Sequence, residues 1–242
     1  MRYKSVIDTS NELCLHILRE VKKMITQELR IVFVRIEALH PPLPRFEGTQ
    51  LHELFVDICK RHSFETFELL GDRGMTIETE DEREFRLERE RLIVSEYVRR
   101  SFNLVRDDFV DMFERMSKKF DIPIHVGLEI QIRALWPSSG ERGAYQLIRK
   151  LLSIKDDQLS FLGSHDMDLV GVRLCLTESG KEYEIEHDLQ IQPWPLDQSQ
   201  LQINSIAHFD QPVESPSVFG QLVDESYQFL LTKVDKFIHA LS

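Results

Sequence analysis

Cysteine is scarce in this chain, and the three that occur stand far apart. Cys14, Cys59 and Cys175 each lie in an apolar periodic segment, and no two of them form a CxxC pair. This spacing disfavours both a disulfide framework and a thiolate zinc site. We therefore expect three reduced thiols in the core of a cytoplasmic protein.

Glycine, proline and long apolar runs are also sparse. Ten glycines and nine prolines in 242 residues are too few for a linker-rich or disordered chain. No run approaches the roughly 18 apolar residues of a membrane span, and residues 1–8 lack the apolar core of a secretion signal. With 42% hydrophobic and 29% charged residues, the composition is typical of a non-membrane globular protein.

Positive charge is in deficit. The chain has 30 Lys and Arg against 41 Asp and Glu, which gives a formal net charge of −11. Such a field repels phosphate backbones and anionic membranes and favours neutral or basic partners. Nucleic acid is an unfavoured partner, although a local basic patch could outweigh the overall charge.

Sequence motifs of catalysis are missing as well. The chain has no P-loop, GxGxxG or GxSxG, and its nine histidines include no HExxH, HxH or HxxxH. His165, Asp166 and Asp168 could ligate a divalent ion, but turn chemistry explains them equally well. The sequence therefore predicts no catalytic residue, metal ligand or cofactor, and it leans against an enzyme.

What the chain does contain is an internal repeat. The pattern I-x-A-L-x-P occurs at residues 36–41 and again 96 residues later at 132–137. Residues 79–88 match 177–186 at an offset of 98, Leu70-Gly71 matches Leu162-Gly163 at 92, and residues 104–109 match 222–227 loosely at 118. Four matches in one order indicate a duplication, with an insertion near residues 193–215 in the second copy.

Hydrophobic periodicity predicts an α+β fold. Alternating apolar residues predict a strand ending at Pro41 and another ending at Pro137, and each half closes with a long amphipathic helix. The expected layout is an N-terminal helix at 1–30, a first β-α-β-β-β-α repeat at 31–121 and a second at 122–242. The antiparallel sheets, covered by helices on one face, would be related by a pseudo-two-fold axis and form either one sheet or two packed halves.

This duplicated order of elements resembles the layout of the TATA-binding protein family and of other helix-covered curved sheets. The resemblance is topological, covers both halves and includes no shared sequence motif. It implies a pseudo-two-fold saddle and assigns no functional residue.

The predicted long strands carry an acidic face. Reading residues 84–93 as one strand places Phe85, Leu87 and Ile93 on the inner side and acidic residues on the outer side. The candidate partner-binding residues of this face are Glu84, Glu88, Glu90, Glu182, Glu184, Glu186 and Asp188. Trp136 and Trp194, which each precede a proline, would add aromatic anchors if exposed and core if buried.

The favoured function is a non-catalytic binding or adaptor protein that engages a protein partner, or forms a homo-oligomer, through this acidic face. A pocket for a small apolar ligand between sheet and helices is the first alternative. An enzyme without a known motif and a nucleic-acid-binding protein are the others.

Overall fold

The computed structural model of the chain describes residues 29–80, 82–122, 127–138, 140, 142–153, 171–178, 184–213 and 215–241. Residues 1–28, which hold nearly all of the expected N-terminal helix, lie outside these ranges. So do Glu182 and residues 165–168, which were considered above as metal ligands.

The described chain forms nine strands, a short 3₁₀ turn at Gly71–Arg73 and four α-helical segments. The last of these segments is interrupted by a π-helical turn, Phe229–Val234. The strands are β1 Arg30–Leu39, β2 Thr66–Leu69, β3 Gly74–Glu78, β4 Glu84–Glu88, β5 Arg91–Tyr97, β6 Gly127–Pro137, β7 Val172–Glu178, β8 Ile185–Trp194 and β9 Asp197–Phe209. The helices are α1 Gly48–Cys59, α2 Phe102–Phe120, α3 Gly143–Leu152, and α4 Pro216–Gln228, which continues through the π-helical turn into α5 Asp235–Leu241. None of the helices in the described ranges has the length and apolar character needed to cross a membrane.

All nine strands belong to one antiparallel sheet, in the order β2-β3-β4-β5-β1-β6-β9-β8-β7. The prediction of an α+β fold with an antiparallel sheet is confirmed, and the choice between one sheet and two is settled by the pairing of β1 with β6 at its centre. The segment 193–215 contains the turn between β8 and β9 and all of β9.

The expected single strand through residues 84–93 is wrong. The chain bends at Arg89 and Glu90 between β4 and β5, which then pair with each other. Ile93 consequently lies opposite Arg86 and on the other side of the sheet from Phe85. The first half therefore has four strands after α1, where the sequence predicted three.

One face of the sheet is predominantly apolar. Side chains directly opposite each other on neighbouring strands share a face, so the register traces this surface across the sheet. Its central rank is Ile77, Phe85, Val94, Ile36, Ile130, Ala207 and His187. Apart from His187, all of these belong to a single core cluster.

The helices pack on this apolar face. Helix α1 begins after Glu47, whose backbone N–H donates to Gln50 Oε1 at 3.3 Å, and it buries Leu51, Leu54 and Ile58. Helices α2 and α4 meet over the centre of the sheet, where the rings of Phe113 and Phe219 lie 4.1 Å apart. Aromatic and aliphatic side chains thus fill the layer between helices and sheet.

Phe109 offers a test of this core. It is fully buried on α2, with its ring 5.9 Å from that of Phe113. We expect Phe109→Ala to lower the free energy of unfolding by about 3–5 kcal/mol, because a large cavity cannot close completely. Leu104→Ala, on the same helix but 51% exposed, should change it by no more than about 0.5 kcal/mol. Urea denaturation measures both, and equal losses would contradict the packing described.

Candidate binding face of the sheet

The side of the sheet opposite the described helices, called here the open face, carries mainly polar side chains because they alternate with the core residues of the strands. The register arranges its central part in three rows that run across the strands. The aromatic row is Tyr97, Phe33, Arg133, Asn204, Gln190 and Arg173. The middle row is Glu84, Ser95, Arg35, Gln131, Ile206, Asp188 and Cys175. The acidic row is Arg86, Ile93, Glu37, Glu129, His208, Glu186 and Thr177.

The acidic row brings two carboxylates together at the centre of the sheet. Glu37 of β1 lies directly opposite Glu129 of β6, a placement of like charges that destabilises a sheet. Glu37 is compensated by Arg35 at 2.5 Å and Arg91 at 3.5 Å. Glu129 pairs with His208, whose Nδ1 lies 3.5 Å from a carboxylate oxygen, and no described arginine or lysine forms an ion pair with it. This end of the open face therefore keeps an excess of negative charge.

Ion pairs neutralise the carboxylates nearer the edges. Glu88 accepts a hydrogen bond from Arg91 Nε at 2.7 Å, which is the main reason that the pKa of its carboxyl is lowered. Arg173 donates to both oxygens of Asp188, at 2.9 and 2.8 Å, and lowers the pKa of that carboxyl in the same way. The open face is thus less uniformly acidic than the sequence suggested.

The aromatic row contains no carboxylate. The rings of Phe33 and Tyr97 lie 5.1 Å apart, and the Arg133 guanidinium carbon stands 5.0 Å from the Phe33 ring centroid. Beside them, Gln131 Nε2 donates to Asn204 Oδ1 at 2.7 Å. Rings, guanidinium and amides therefore form one neutral-to-basic strip, which the middle row separates from the acidic row.

The predicted partner-binding residues are only partly gathered on this face. Glu84, Glu88, Glu186 and Asp188 lie on it, and Asp188 is nearly buried. Glu90 lies in the β4–β5 bend, where it lines a groove of about 440 Å³. The remaining residues are placed as follows: Glu184 is exposed just before β8, Trp194 is partly exposed at the end of β8, Trp136 is buried at 1% exposure edge-on to His239, and Glu182 is outside the described residues.

Sequence reasoning missed the aromatic row. Phe33 and Arg133 alternate with the core residues of β1 and β6, so their exposure to the open face follows from the same periodicity that predicted those strands. Their contact follows only from the register, because they are 100 positions apart in the chain.

A second cluster of titratable groups lies among the helices. His62, whose side chain is 5% exposed, has Nε2 2.9 Å from Asp111 and Nδ1 3.4 Å from Asp108. Asp108 also binds Arg100 at 2.6 Å, and Asp111 binds Arg115 at 2.7 Å. Because carboxylates of α2 occupy both ring nitrogens, the cluster fastens α2 to the segment after α1 and leaves the imidazole no atom for proton transfer to a substrate.

Burial and charge act in opposite directions on this cluster. Burial disfavours the charged imidazole, but the hydrogen bonds to Asp108 and Asp111 outweigh it and raise the pKa of His62. The hydrogen bond from Arg115 is the main cause that lowers the pKa of Asp111 to about 2. The described residues contain no group of three or more His, Cys, Asp or Glu side chains arranged to hold a metal ion.

Comparison with known proteins adds no assignment. No family model matches the chain, and no curated protein matches it in sequence. The open face of the sheet and the His62 cluster are therefore the features from which a function can be inferred.

The His62 cluster makes stability depend on pH. Because the pKa of His62 is raised in the folded state, its ion pairs stabilise fully below the unfolded value of about 6.5 and are lost as the pH rises through the folded value. We expect the difference in unfolding free energy between wild type and His62→Gln to be larger at about pH 6 than at about pH 9. Urea denaturation at both values measures it, and a difference that grows with pH would contradict this cluster.

Proposed function

We propose that this chain is a non-catalytic binding protein that engages a protein partner through the open face of its sheet. The observation that carries the proposal is the division of that face into an acidic row and an aromatic row without carboxylates. Aromatic residues and arginine are enriched at the energetic centres of protein interfaces. Two strips of different charge on one face also fix the orientation of a partner, because a reversed partner would meet like charges.

The charge pattern favours a protein over nucleic acid. A nucleic-acid backbone carries a negative charge at every nucleotide and would have to lie against Glu37, Glu129 and Glu186 as well as against the arginines. A protein segment can place a basic side chain over the acidic row and a different group over the aromatic row. The net charge of −11 acts in the same direction.

Packing supports a surface site over the alternatives of a buried pocket or a concealed active site. The layer between helices and sheet holds Phe109, Met112 and Phe113 at 0 or 1% exposure, so core side chains occupy the space that an apolar ligand would need. The groove of about 500 Å³ between α1 and α2 is lined with charged residues such as Glu53 and Lys118. The His62 cluster, in which the pKa of Asp111 is lowered to about 2, serves to join α2 to the segment after α1.

We also propose that the two halves, 31–121 and 122–242, arose by duplication. An offset of 96 equates Arg35 with Gln131, and these residues are directly opposite in the central strand pair. A two-fold axis between them would relate β1 to β6, β5 to β9 and β4 to β8 in the observed order. In this scheme the extra length of the second half extends β8 and β9, which have 10 and 13 residues against 5 and 7 for β4 and β5.

Charge reversal in the acidic row tests the proposed partner face. Glu129→Lys with Glu186→Lys should weaken capture of a partner from host lysate by at least about tenfold at about 0.1 M salt, where charge pairs are least screened. Misfolding is not expected, because a lysine at 129 would face Glu37 and remove a like-charge pair. The tagged full chain and quantitative mass spectrometry provide the measurement.

The matched control changes the same net charge on the helix side. Glu53→Lys with Glu114→Lys alters two exposed carboxylates of α1 and α2 whose lysine partners, Lys119 and Lys118, are also at the surface. A protein retained by wild type and by this control but lost from the acidic-row variant supports the proposal. If every protein captured is held equally by all three forms, the partner does not use the open face.

A further inference from the structure

Arg133 differs from the other arginines of the open face. Arg35, Arg86, Arg91 and Arg173 each have a carboxylate within 2.8 Å. Within the described part of the chain, Arg133 has no carboxylate partner, and its Nε is buried without a hydrogen-bond partner. The side chain as a whole is partly exposed. Among the described residues, this guanidinium is thus without a counter-charge, although the chain has a surplus of carboxylates.

The surroundings hold Arg133 in place without neutralising it. The guanidinium carbon is 5.0 Å from the centroid of the Phe33 ring, within the range of a cation–π contact. Tyr97 packs beside Phe33 on one side, and Asn204 lies directly opposite Arg133 on the other. None of these neighbours is charged, so they orient the guanidinium and leave its charge available to a ligand.

We propose that Arg133 binds a carboxylate of the protein partner, either an Asp or Glu side chain or a chain terminus. This inference rests on the proposed function of the open face. A planar guanidinium matches the two oxygens of a carboxylate in a bidentate hydrogen-bonded pair, which is stronger and more directional than a single contact. A carboxylate brings one localised charge to the aromatic row, whereas a polynucleotide would extend its charges over the acidic row.

The distance between the two rows specifies the partner further. Arg133 and Glu129 are four residues apart on β6 and point to the same side, which corresponds to roughly 13 Å along a strand. The partner should therefore present an acidic and a basic group about this far apart, as an extended segment does with residues i and i+4. The same spacing on a helix is about 6 Å, too short to satisfy both rows.

Selection of peptides on the intact chain tests this inference. Displayed random peptides of about 12 residues, long enough to span both rows, are selected against the full-length protein. The affinities of the recovered peptides are measured by fluorescence polarisation. We expect the peptides to contain an Asp or Glu with a Lys or Arg four positions away. Arg133→Met should weaken their binding by at least about tenfold, since a charge-assisted hydrogen-bonded pair is lost.

Arg149→Met is the matched control. Arg149 also lies over an aromatic ring, with its guanidinium carbon 5.6 Å from Tyr145, but on α3 of the helix side. The Arg149→Met substitution should leave the affinity for the selected peptides unchanged. Arg133→Met should alter the midpoint of thermal unfolding by less than about 4 °C, because a cation–π contact is lost while a buried unpaired Nε is removed.

The outcomes separate this inference from the proposed function. If Glu129→Lys with Glu186→Lys abolishes peptide binding but Arg133→Met leaves it unchanged, the open face is the binding surface and the proposed role of Arg133 is wrong. If neither change matters, both proposals fail. Recovery of no peptide that depends on Arg133 overturns the inference. A single-stranded oligonucleotide of about 12 nucleotides could compete with the peptides. If that competition depends on Arg133, the ligand of Arg133 is a phosphate and the proposal of a carboxylate is overturned.

Discussion

The antiparallel pairing of β1 with β6 is the constraint on which the rest of the molecule depends. It joins the five strands on one side to the four on the other, so that Ile36 and Ile130 become part of a single apolar surface. A surface that large requires a continuous helical layer over it. The apolar faces of α1 to α4 are buried in forming that layer. The opposite face is then polar by alternation along every strand.

The sequence predicted the α+β fold and the central strands, but it did not predict the strand order or the contacts on the open face. Alternation predicted β1 and β6 and the ends of both strands near Pro41 and Pro137, because these strands bury one face only. It could not predict that β4 and β5 are separate, since Arg89 and Glu90 give no strong turn signal. The order and register of the strands cannot be read from the periodicity of single segments. The pairs that distinguish the open face depend on both: Phe33 with Arg133, Glu37 with Glu129, and Arg173 with Asp188.

The charge of the surface also could not be predicted from composition, because it depends on which charged side chains pair in the folded chain. A net charge of −11 and runs of Glu in residues 80–90 suggested an acidic face. In the folded chain, Glu37, Glu88 and Asp188 of that face pair with arginines. The helix side is likewise held together by the pairs around Asp108 and Asp111. Among the residues that the structure describes, the uncompensated charge of the open face is local and of both signs, in the acidic row and at Arg133.

The aromatic row crosses the junction between β1 and β6, with Tyr97 and Phe33 on one side and Arg133 and Asn204 on the other. A ligand lying along this row would touch strands from both sides of the junction at once. It would act mechanically as a brace, since pulling the two sides apart would have to break its contacts together with the ladder of backbone hydrogen bonds. Occupancy of the surface and resistance of the sheet to tearing along its midline would then rise together.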